Sequence, residues 1–490
     1  MTFIKSKYIH RSFTELEIKN FLFESKRTAA LCFLRGRRRI GKSTLLYQLQ
    51  SLYKIPVFVF TGGKDEKEVT LKKRLITEWS LFNPKSNLSK MKINSILWRD
   101  IFVEFGQHAN ELKSPLCICI DEIQWVAKGQ TGFIGQFKEA WLTLEKIKNL
   151  KIILSGSSNK FFHKYTGGEE QILRGMCTHN DIWLTDISPS VLKKEFVPHW
   201  KNEEVIFAYM CLGGVPYYWQ QFDEKVNFIQ TFNKACFTSS SFVLKEALEI
   251  LRLEFNKAGT TTAINLLKGV GFLGKTLEQL EKVSRLPHSS ASILVEKLLD
   301  YGIIKTFNDP NEKFKTTSRG QRYYIQDPFL NFYFQIIWNI KSKISRNQTN
   351  ELIFASLLGS KNGFYINEFS GYAFENLVRR QLLVSVDRSE KIFKTLGLIN
   401  CEFEVGTIKQ SDRQIDIVIF NSTDKTDRWI ECRWSQSVKE ISDLIDEVLL
   451  KKNETEDLEI FIATNVVPTK TLLQKAEVNE IKLIGINDLM

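Results

Sequence analysis

The sequence predicts an α/β protein whose first part is a parallel sheet with helices on both faces. Four short apolar runs, at residues 30–34, 55–60, 116–120 and 150–154, have the length and composition of strands buried on both sides. The segments between them contain apolar residues at helical spacing, and strands that alternate with helices indicate a parallel sheet. Ligands of such sheets bind at the carboxyl ends of the strands. The residues that follow these runs are therefore the first candidates for a binding site.

The run at residues 30–34 leads into a glycine-containing turn and then a helix. Residues 36–44 match the phosphate-binding pattern G-x-x-x-x-G-K-[ST] in full, and an arginine-rich surface loop that mimics it is the alternative. Its glycines free the backbone so that N–H groups and the start of the next helix face phosphate oxygens. Lys42 would neutralise the β and γ phosphate oxygens, and Ser43 would place its hydroxyl on Mg²⁺. The expected nucleotide-binding residues of this loop are Gly36, Arg37, Arg38, Arg39, Ile40, Gly41, Lys42, Ser43 and Thr44.

Two adjacent acids, Asp121 and Glu122, follow the apolar run at residues 116–120, as in a Walker B segment. Asp121 would hold the water shell of Mg²⁺, while Glu122 would polarise the water that attacks the γ-phosphate. The strand at residues 150–158 ends in small hydroxyl residues, of which Ser157 is the expected γ-phosphate sensor. A plain turn is the alternative at either strand end. The pattern predicts Mg²⁺-dependent ATP hydrolysis with Lys42 and Glu122 as catalytic residues, and the lack of an evident guanine-reading Asn/Thr-Lys-x-Asp motif favours ATP over GTP.

Length and composition restrict the class of protein. A chain of 490 residues has room for about three domains of ordinary size. No apolar run reaches the eighteen or more residues that a membrane span needs, and the N-terminus lacks the features of a secretion signal, so we expect a cytoplasmic protein. The eight cysteines show no metal-ligand spacing, which favours reduced core residues. The net charge of +12 permits an anionic partner without requiring one.

The middle of the chain changes from alternating strands and helices to mostly helices. Residues 213–216, Gly-Gly-Val-Pro, interrupt this helical region with a turn. Residues 256–335 contain two helices joined by a short turn and then a hairpin, which is typical of a winged helix. Its second helix contains only Lys297 as a base, so packing within the chain is favoured over DNA reading.

The last part of the chain is predicted to be a separate α/β unit that contains three candidate metal ligands. Glu375 lies at the border of the apolar face of a predicted helix. Asp416 lies off the apolar face of one predicted strand, and Glu431 and Arg433 share one side of another. Three acids in this arrangement can form a Mg²⁺ site that cleaves a phosphodiester, whereas each acid alone is more often a solvated surface residue.

These motifs resemble those of the archaeal-type AAA/STAND ATPases, a P-loop NTPase family with a winged helix. The resemblance implies ATP and Mg²⁺ as cofactors, and a helical lid near the nucleotide that includes Pro216. Where relatives usually show Gly-Arg after the serine strand, this chain has Arg174 followed by Gly175, and this departure from the family pattern weakens Arg174 as a γ-phosphate sensor. The matching segments are residues 36–44, 121–124, 154–158, 213–216 and 324–330.

The C-terminal part resembles the PD-(D/E)XK nuclease-like domain that many members of this family contain. Glu375, Asp416 and Glu431 match its acidic positions, and Arg433 stands where the family has lysine. A guanidinium stays protonated and cannot serve as a base, so Lys439 on the next predicted helix is a candidate substitute. The expected domains are a P-loop ATPase domain at 1–190, a helical lid at 191–255, a winged helix at 256–335, a helical linker at 336–360 and the nuclease-like domain at 361–490.

Three functions follow from these observations. The first is an ATP-hydrolysing conformational switch coupled to the winged helix and the nuclease-like domain. The second is an ATP-gated, Mg²⁺-dependent nuclease that acts on DNA, and the third is a nucleotide sensor that binds a partner without hydrolysis. Intact Glu122 argues against the third. Beyond ATP, the sequence leaves open whether DNA or another nucleic acid, a second copy or a protein partner is bound.

Overall fold

The computed structural model divides the chain into two compact units, Met1–Thr185 and Asp186–Met490. Each unit is described by itself. The structure describes residues 8–24, 28–127, 132–167, 172–255, 257–272, 274–306, 321–345, 364–383, 390–399, 401–409, 414–421, 426–435, 437–451 and 458–490.

The first unit is built on a five-stranded parallel sheet in the order β2-β3-β4-β1-β5. All its strand pairs are parallel, as the alternation of strands and helices predicts. The strands that lead into the phosphate-binding pattern and into the two acids therefore end at the same edge of the sheet. The strands are β1 (Ala30–Gly36), β2 (Val57–Thr61), β3 (Leu116–Asp121), β4 (Leu150–Gly156) and β5 (Ile182–Leu184).

Helices cover both faces of this sheet. Leu31 and Phe33 face a core with Trp79 and Phe105, whose rings are 4.5 Å apart between centroids. Cys32 lies between Leu31 and Phe33, so it points to the opposite face, where it is also buried. The helices of this unit are α1 (Ser12–Phe23), α2 (Lys42–Tyr53), α3 (Glu68–Phe82), α4 (Trp98–Glu111), α5 (Ile123–Ala127), α6 (Phe133–Leu144) and α7 (Asn159–Phe162).

The second unit begins with helices and then a three-stranded antiparallel sheet in the order β6-β8-β7. Two helices, α14 and α15, precede the β7–β8 hairpin, and residues 307–320 of the expected wing lie outside the described residues. The elements are α8 (Pro189–Phe196), α9 (Asn202–Leu212), α10 (Pro216–Trp219), α11 (Phe228–Cys236), α12 (Phe242–Glu254), α13 (Lys257–Val270), β6 (Lys275–Thr276), α14 (Leu277–Ser284), α15 (His288–Asp300), β7 (Ile304–Thr306), β8 (Arg322–Ile325), α16 (Pro328–Phe332) and α17 (Trp338–Ser345).

The second helix of the expected winged helix has one buried and one exposed face. The buried face of α15 packs within the chain through Ala291, Leu294 and Leu298. On its other face, Ile293 is 53% exposed, and Lys297 is exposed as well. Within the described residues, this second face is open to solvent, and the preference for packing within the chain over DNA reading stays a prediction.

The C-terminal part of the second unit contains a five-stranded mixed sheet in the order β13-β12-β11-β10-β9. Strands β9 to β11 form an antiparallel meander, whereas β11, β12 and β13 are parallel. The elements are α18 (Phe364–Leu383), α19 (Glu390–Thr395), β9 (Phe403–Lys409), β10 (Gln414–Asn421), β11 (Asp427–Arg433), α20 (Val438–Lys451), β12 (Leu458–Thr464), α21 (Lys470–Val478) and β13 (Ile481–Ile484).

Aromatic contacts join the C-terminal sheet region to the helices before it. Phe272 stacks on Tyr372 of α18 at 5.8 Å between ring centroids, and Phe332 lies 5.7 Å from Phe369. Residues 186–490 form one compact unit, and the domain boundaries expected within it stay a prediction. Residues 346–363 of the expected linker lie outside the described residues. No helix among those that the structure describes is long and apolar enough to cross a membrane.

The buried amine of Lys151 in β4 makes stability depend on pH. Burial lowers the pKa of Lys151 from 10.5 to about 8, because the charged form is poorly solvated there. Between these values the unfolded chain binds more protons than the folded chain, so stability rises with pH. We expect Lys151→Met to raise the free energy of unfolding at pH 7 by up to about 3 kcal/mol. The gain should shrink towards pH 11, where the wild-type amine is neutral in both states.

Chemical denaturation at pH 7, 9 and 10.5 measures this effect. The control is Lys146→Met, since Lys146 is an exposed lysine of the same unit. A gain for Lys151→Met that stays constant over this pH range would contradict the prediction.

Candidate active site

The phosphate-binding loop connects β1 to α2 through backbone conformations that glycine favours. Gly36 has φ 153° and Gly41 has φ 104°, both in the region that side chains rarely adopt. A Cβ at Gly36 would also lie 2.7 Å from the carbonyl oxygen of Leu184. The fold therefore requires glycine at position 36 for both reasons. Arg39, between the two glycines, has a left-handed backbone as well, with φ 64°.

Lys42 lies at the first position of α2 and is 6% exposed. Its Nζ donates to the carbonyl oxygens of Gly36 at 2.8 Å and Arg37 at 3.0 Å. The ammonium group is thus held against the backbone of the loop, at the N-terminus of a helix. Both the charge and the helix terminus attract anions, so the loop fits phosphate.

Ser43, the second residue of α2, contacts Asp121 at the end of β3. The Ser43 hydroxyl donates to Oδ2 of Asp121 at 2.5 Å, and Asp121 has no exposed surface. Its other oxygen accepts the N–H of Glu122 at 3.0 Å. A hydroxyl and a carboxylate are the hard oxygen ligands that Mg²⁺ prefers. The donor set therefore fits this cation, with Ser43 and Asp121 as the residues that would hold it.

Glu122 leaves the strand with a left-handed backbone, φ 51°, which is uncommon outside glycine. Its carboxylate accepts a hydrogen bond from the Gln124 amide, and Arg38 Nη1 lies 3.8 Å from its Oε1. Burial raises the pKa of Glu122, while the charges of Arg38 and Lys42 oppose this rise. A carboxylate with a raised pKa is better suited to accept a proton than an ordinary surface glutamate.

Two serine hydroxyls at the end of β4 have no hydrogen-bond partner among the described residues, those of Ser155 and the expected sensor Ser157. The strand end packs closely on the Walker B segment, since a Cβ at Gly156 would lie 2.4 Å from Gln124 Oε1. Gly156, the residue before Ser157, thus packs closely on the segment that contains Glu122. Ser157 stays the predicted sensor of the γ-phosphate.

Arg11 has a role that no pattern in the sequence indicates. This side chain is buried, and its guanidinium donates to the carbonyl oxygen of Ile40 at 2.8 Å and to that of Thr185 at 2.6 Å. It therefore holds the loop backbone immediately before Gly41. No sequence pattern identifies two carbonyl groups so far along the chain as the partners of one arginine.

Arg174 and Pro216 are two further residues that the sequence assigns to the nucleotide. Arg174 lines a surface groove beside β5 with Asp181 and Trp183, and no residue of the loop at 36–44 lines that groove. Pro216 begins α10 in the second unit, so its place near a nucleotide stays a prediction.

The C-terminal acids lie on α18, β10 and β11, but the structure pairs them differently from the prediction. Glu375 forms an ion pair with Arg379, which also donates to the carbonyl oxygen of Asp416 at 2.5 Å. Asp416 Oδ2 accepts the N–H of Cys432 at 3.0 Å. Burial, and then the neighbouring Glu431, raise the pKa of Asp416 to about 7. Among the described residues, no three His, Cys, Asp or Glu side chains are arranged to hold a metal ion.

The lysine that reaches this acidic pair is Lys451. Its Nζ donates to Glu431 Oε1 at 2.9 Å from the last residue of α20. Arg433 is 45% exposed and lies 3.9 Å from Glu447, and the expected substitute Lys439 is exposed. Lys451 follows the buried Leu444 and Val448 at helical spacing, which is the one sequence signal that points its side chain inward.

Comparison with known proteins gives one family match. Residues 28–175 match the AAA_14 family, described as an AAA domain. An uncharacterized protein of Methanocaldococcus jannaschii is 26% identical over 334 residues, which cover 68% of this chain and 70% of that protein.

Two solved structures align with part of this chain. A Walker-type ATPase of Pyrococcus abyssi is 19% identical with a TM-score of 0.49, covering 66% of this chain and 95% of that one. The ORC2 protein of Aeropyrum pernix is 10% identical with a TM-score of 0.43, covering 68% and 93%.

The family match covers the strands and loops that form the site in the first unit. It supports a P-loop ATPase of the AAA type, which binds and hydrolyses a nucleotide, over those residues.

Proposed function

We propose that this chain is a Mg²⁺-dependent ATP hydrolase that acts as a conformational switch. The observation that supports it most directly is the contact between the Ser43 hydroxyl and the buried Asp121 carboxylate, with Lys42 and Glu122 beside these two residues in the chain. A nucleotide clamp needs a cation at the phosphates, two oxygen ligands for Mg²⁺ and a carboxylate near the attacking water. These four residues supply each of them.

Each of these residues has one task in this proposal. Lys42 binds the β and γ phosphate oxygens, and Ser43 and Asp121 hold Mg²⁺, which would neutralise charge on the phosphates. Glu122 orients and polarises the attacking water. Ser157 follows β4, which lies between β1 and β3 in the sheet, so it is suited to sense the γ-phosphate. In the proposed lid, Pro216 closes on the nucleotide, and the winged helix and the nuclease-like region respond.

Two substitutions separate binding from hydrolysis. Lys42→Ala removes the only loop side chain expected to neutralise the β and γ phosphates, so we expect ATP affinity to fall at least about tenfold. Glu122→Gln keeps a hydrogen-bonding group but cannot accept a proton. We expect it to bind ATP normally and to hydrolyse it at least about a hundredfold more slowly.

Fluorescent-nucleotide titration measures the affinity, and phosphate release measures hydrolysis. Lys73→Ala is the matched control, because Lys73 is exposed on α3. Unchanged hydrolysis in Lys42→Ala would refute the assignment. ATP binding without hydrolysis in the wild type would favour the third function, a nucleotide sensor.

A second candidate function is cleavage of DNA at the C-terminal acids, gated by ATP. The buried pair of Asp416 and Glu431 with Lys451 at 2.9 Å supports it, because two acids and a lysine at a Mg²⁺ ion can cleave a phosphodiester. In this reading Lys451 takes the place that the resemblance gives to a lysine at position 433. The exposed face of α15 is a further surface that could contact the DNA backbone.

A nicking assay on supercoiled DNA with Mg²⁺ and ATP tests this second function. We expect Asp416→Asn and Lys451→Ala each to reduce cleavage at least about a hundredfold. Lys439→Ala and Arg433→Ala should stay close to the wild type, since both side chains point towards solvent. Cleavage by Lys451→Ala at the wild-type rate would remove Lys451 from the site. No cleavage by the wild type would count against the nuclease.

A further inference from the structure

Asp186 is a buried carboxylate that two separate elements of the second unit contact. Its side chain is 6% exposed, and Oδ2 accepts the N–H of Gly214 at 2.9 Å and Nη2 of Arg380 at 2.7 Å. Gly214 belongs to the Gly-Gly-Val-Pro turn of the proposed lid, whereas Arg380 lies on α18. One charged group therefore joins this turn to the helix that contains Glu375.

The turn cannot move independently of Asp186. Ile187 donates its N–H to the carbonyl oxygen of Gly214 at 3.0 Å, so one backbone hydrogen bond joins the two segments as well. A Cβ at Gly214 would lie 2.4 Å from the carbonyl oxygen of Ile187 and 2.6 Å from Cβ of Asp186. Because of this close approach, we expect the turn and residues 186–187 to move together.

On the other side, Asp186 is paired with Arg380 of α18. Arg380 is 17% exposed, and its Nη1 lies 3.4 Å from the carbonyl oxygen of Gln326, the residue after β8. The preceding residue, Arg379, pairs with Glu375 and donates to the Asp416 backbone. Two adjacent residues of α18 thus contact Asp186 and the acids of the C-terminal sheet region, respectively.

Asp186 is also joined by a peptide bond to Thr185, the last residue of the first unit. Within that unit, the carbonyl oxygen of Thr185 accepts a hydrogen bond from Arg11, and the same guanidinium holds the carbonyl oxygen of Ile40 in the phosphate loop. One side chain therefore links the backbone of the phosphate loop to residue 185.

We propose that Asp186 is the relay through which nucleotide at the phosphate loop changes α18, with Arg11 as its input and Arg380 as its output. This inference rests on the proposed ATP-binding function and names how that function is communicated. A buried ion pair is costly to break, because a partner left alone is an uncompensated charge in a medium of low dielectric constant. In this proposal, nucleotide binding changes the Asp186–Arg380 pair from the arrangement seen here to a second one, as a switch requires.

Hydrogen exchange of the full chain, measured by mass spectrometry, tests the relay. The chain is compared without nucleotide, with ADP and with a non-hydrolysable ATP analogue. In the wild type we expect the analogue to change exchange in residues 364–383 by about fivefold or more. Arg380→Gln should abolish this change while its ATP hydrolysis stays within about twofold of the wild type, because residue 380 is not part of the catalytic site.

Arg252→Gln is the matched control, since Arg252 forms an exposed ion pair with Glu249 on α12 of the same unit. It should keep the full response of α18. If Arg380→Gln unfolds, as its melting curve would show, Asp186→Asn replaces it, because the amide keeps the shape and loses the charge. We expect the same loss of response in that variant.

The possible results separate this inference from the function on which it rests. A wild type that hydrolyses ATP but shows no change in α18 overturns the relay alone. A response in folded Arg380→Gln or Asp186→Asn equal to that of the wild type overturns it as well. A wild type that neither binds nor hydrolyses ATP overturns the proposed function, and the relay falls with it.

Discussion

The candidate active site of the first unit depends on how the Asp121 carboxylate is accommodated without any exposed surface. A buried carboxylate is tolerated only when its oxygens are hydrogen-bonded. One oxygen is satisfied by the Ser43 hydroxyl and the other by the N–H of Glu122. Ser43 follows the left-handed backbone of Gly41, and Glu122 has a left-handed backbone of its own. The buried charge therefore joins the start of α2, where Lys42 lies, to the end of β3, which Glu122 follows.

The residues that the sequence identifies at this site are those whose role is set by their immediate neighbours in the chain. Glycines at positions 36 and 41 are needed by the local backbone, and two acids at the end of an apolar strand are recognisable without knowing any partner. The parallel sheet is predictable for the same reason, because it follows from the order of strands and helices. The match of residues 28–175 with an AAA domain agrees with that part of the prediction.

What the sequence does not reveal are the partners of buried charges that lie far apart in the chain. Arg11 contacts a carbonyl oxygen of Thr185, and Lys451 contacts Glu431 from the end of a helix. The spacing of apolar residues in α20 indicates that Lys451 faces inward, but it cannot indicate which acid it meets. The division into units was also unpredictable, since aromatic contacts such as that of Phe272 with Tyr372 depend on three-dimensional packing.

The ion pair of Glu375 with Arg379 connects the two proposed activities, which are ATP hydrolysis and DNA cleavage at the C-terminal acids. Glu375 is a candidate metal ligand, but its carboxylate is already neutralised by a guanidinium that also holds the Asp416 backbone. Lys305 is buried near the same group, and burial together with the charges of Arg379 and Arg380 lowers its pKa well below its usual range. A Mg²⁺ ion bound to Asp416 and Glu431 gains Glu375 as a third ligand only if Arg379 releases it. Arg379 precedes Arg380, which forms an ion pair with Asp186. A change in the Asp186–Arg380 pair on nucleotide binding would therefore act on the release of Glu375 by Arg379.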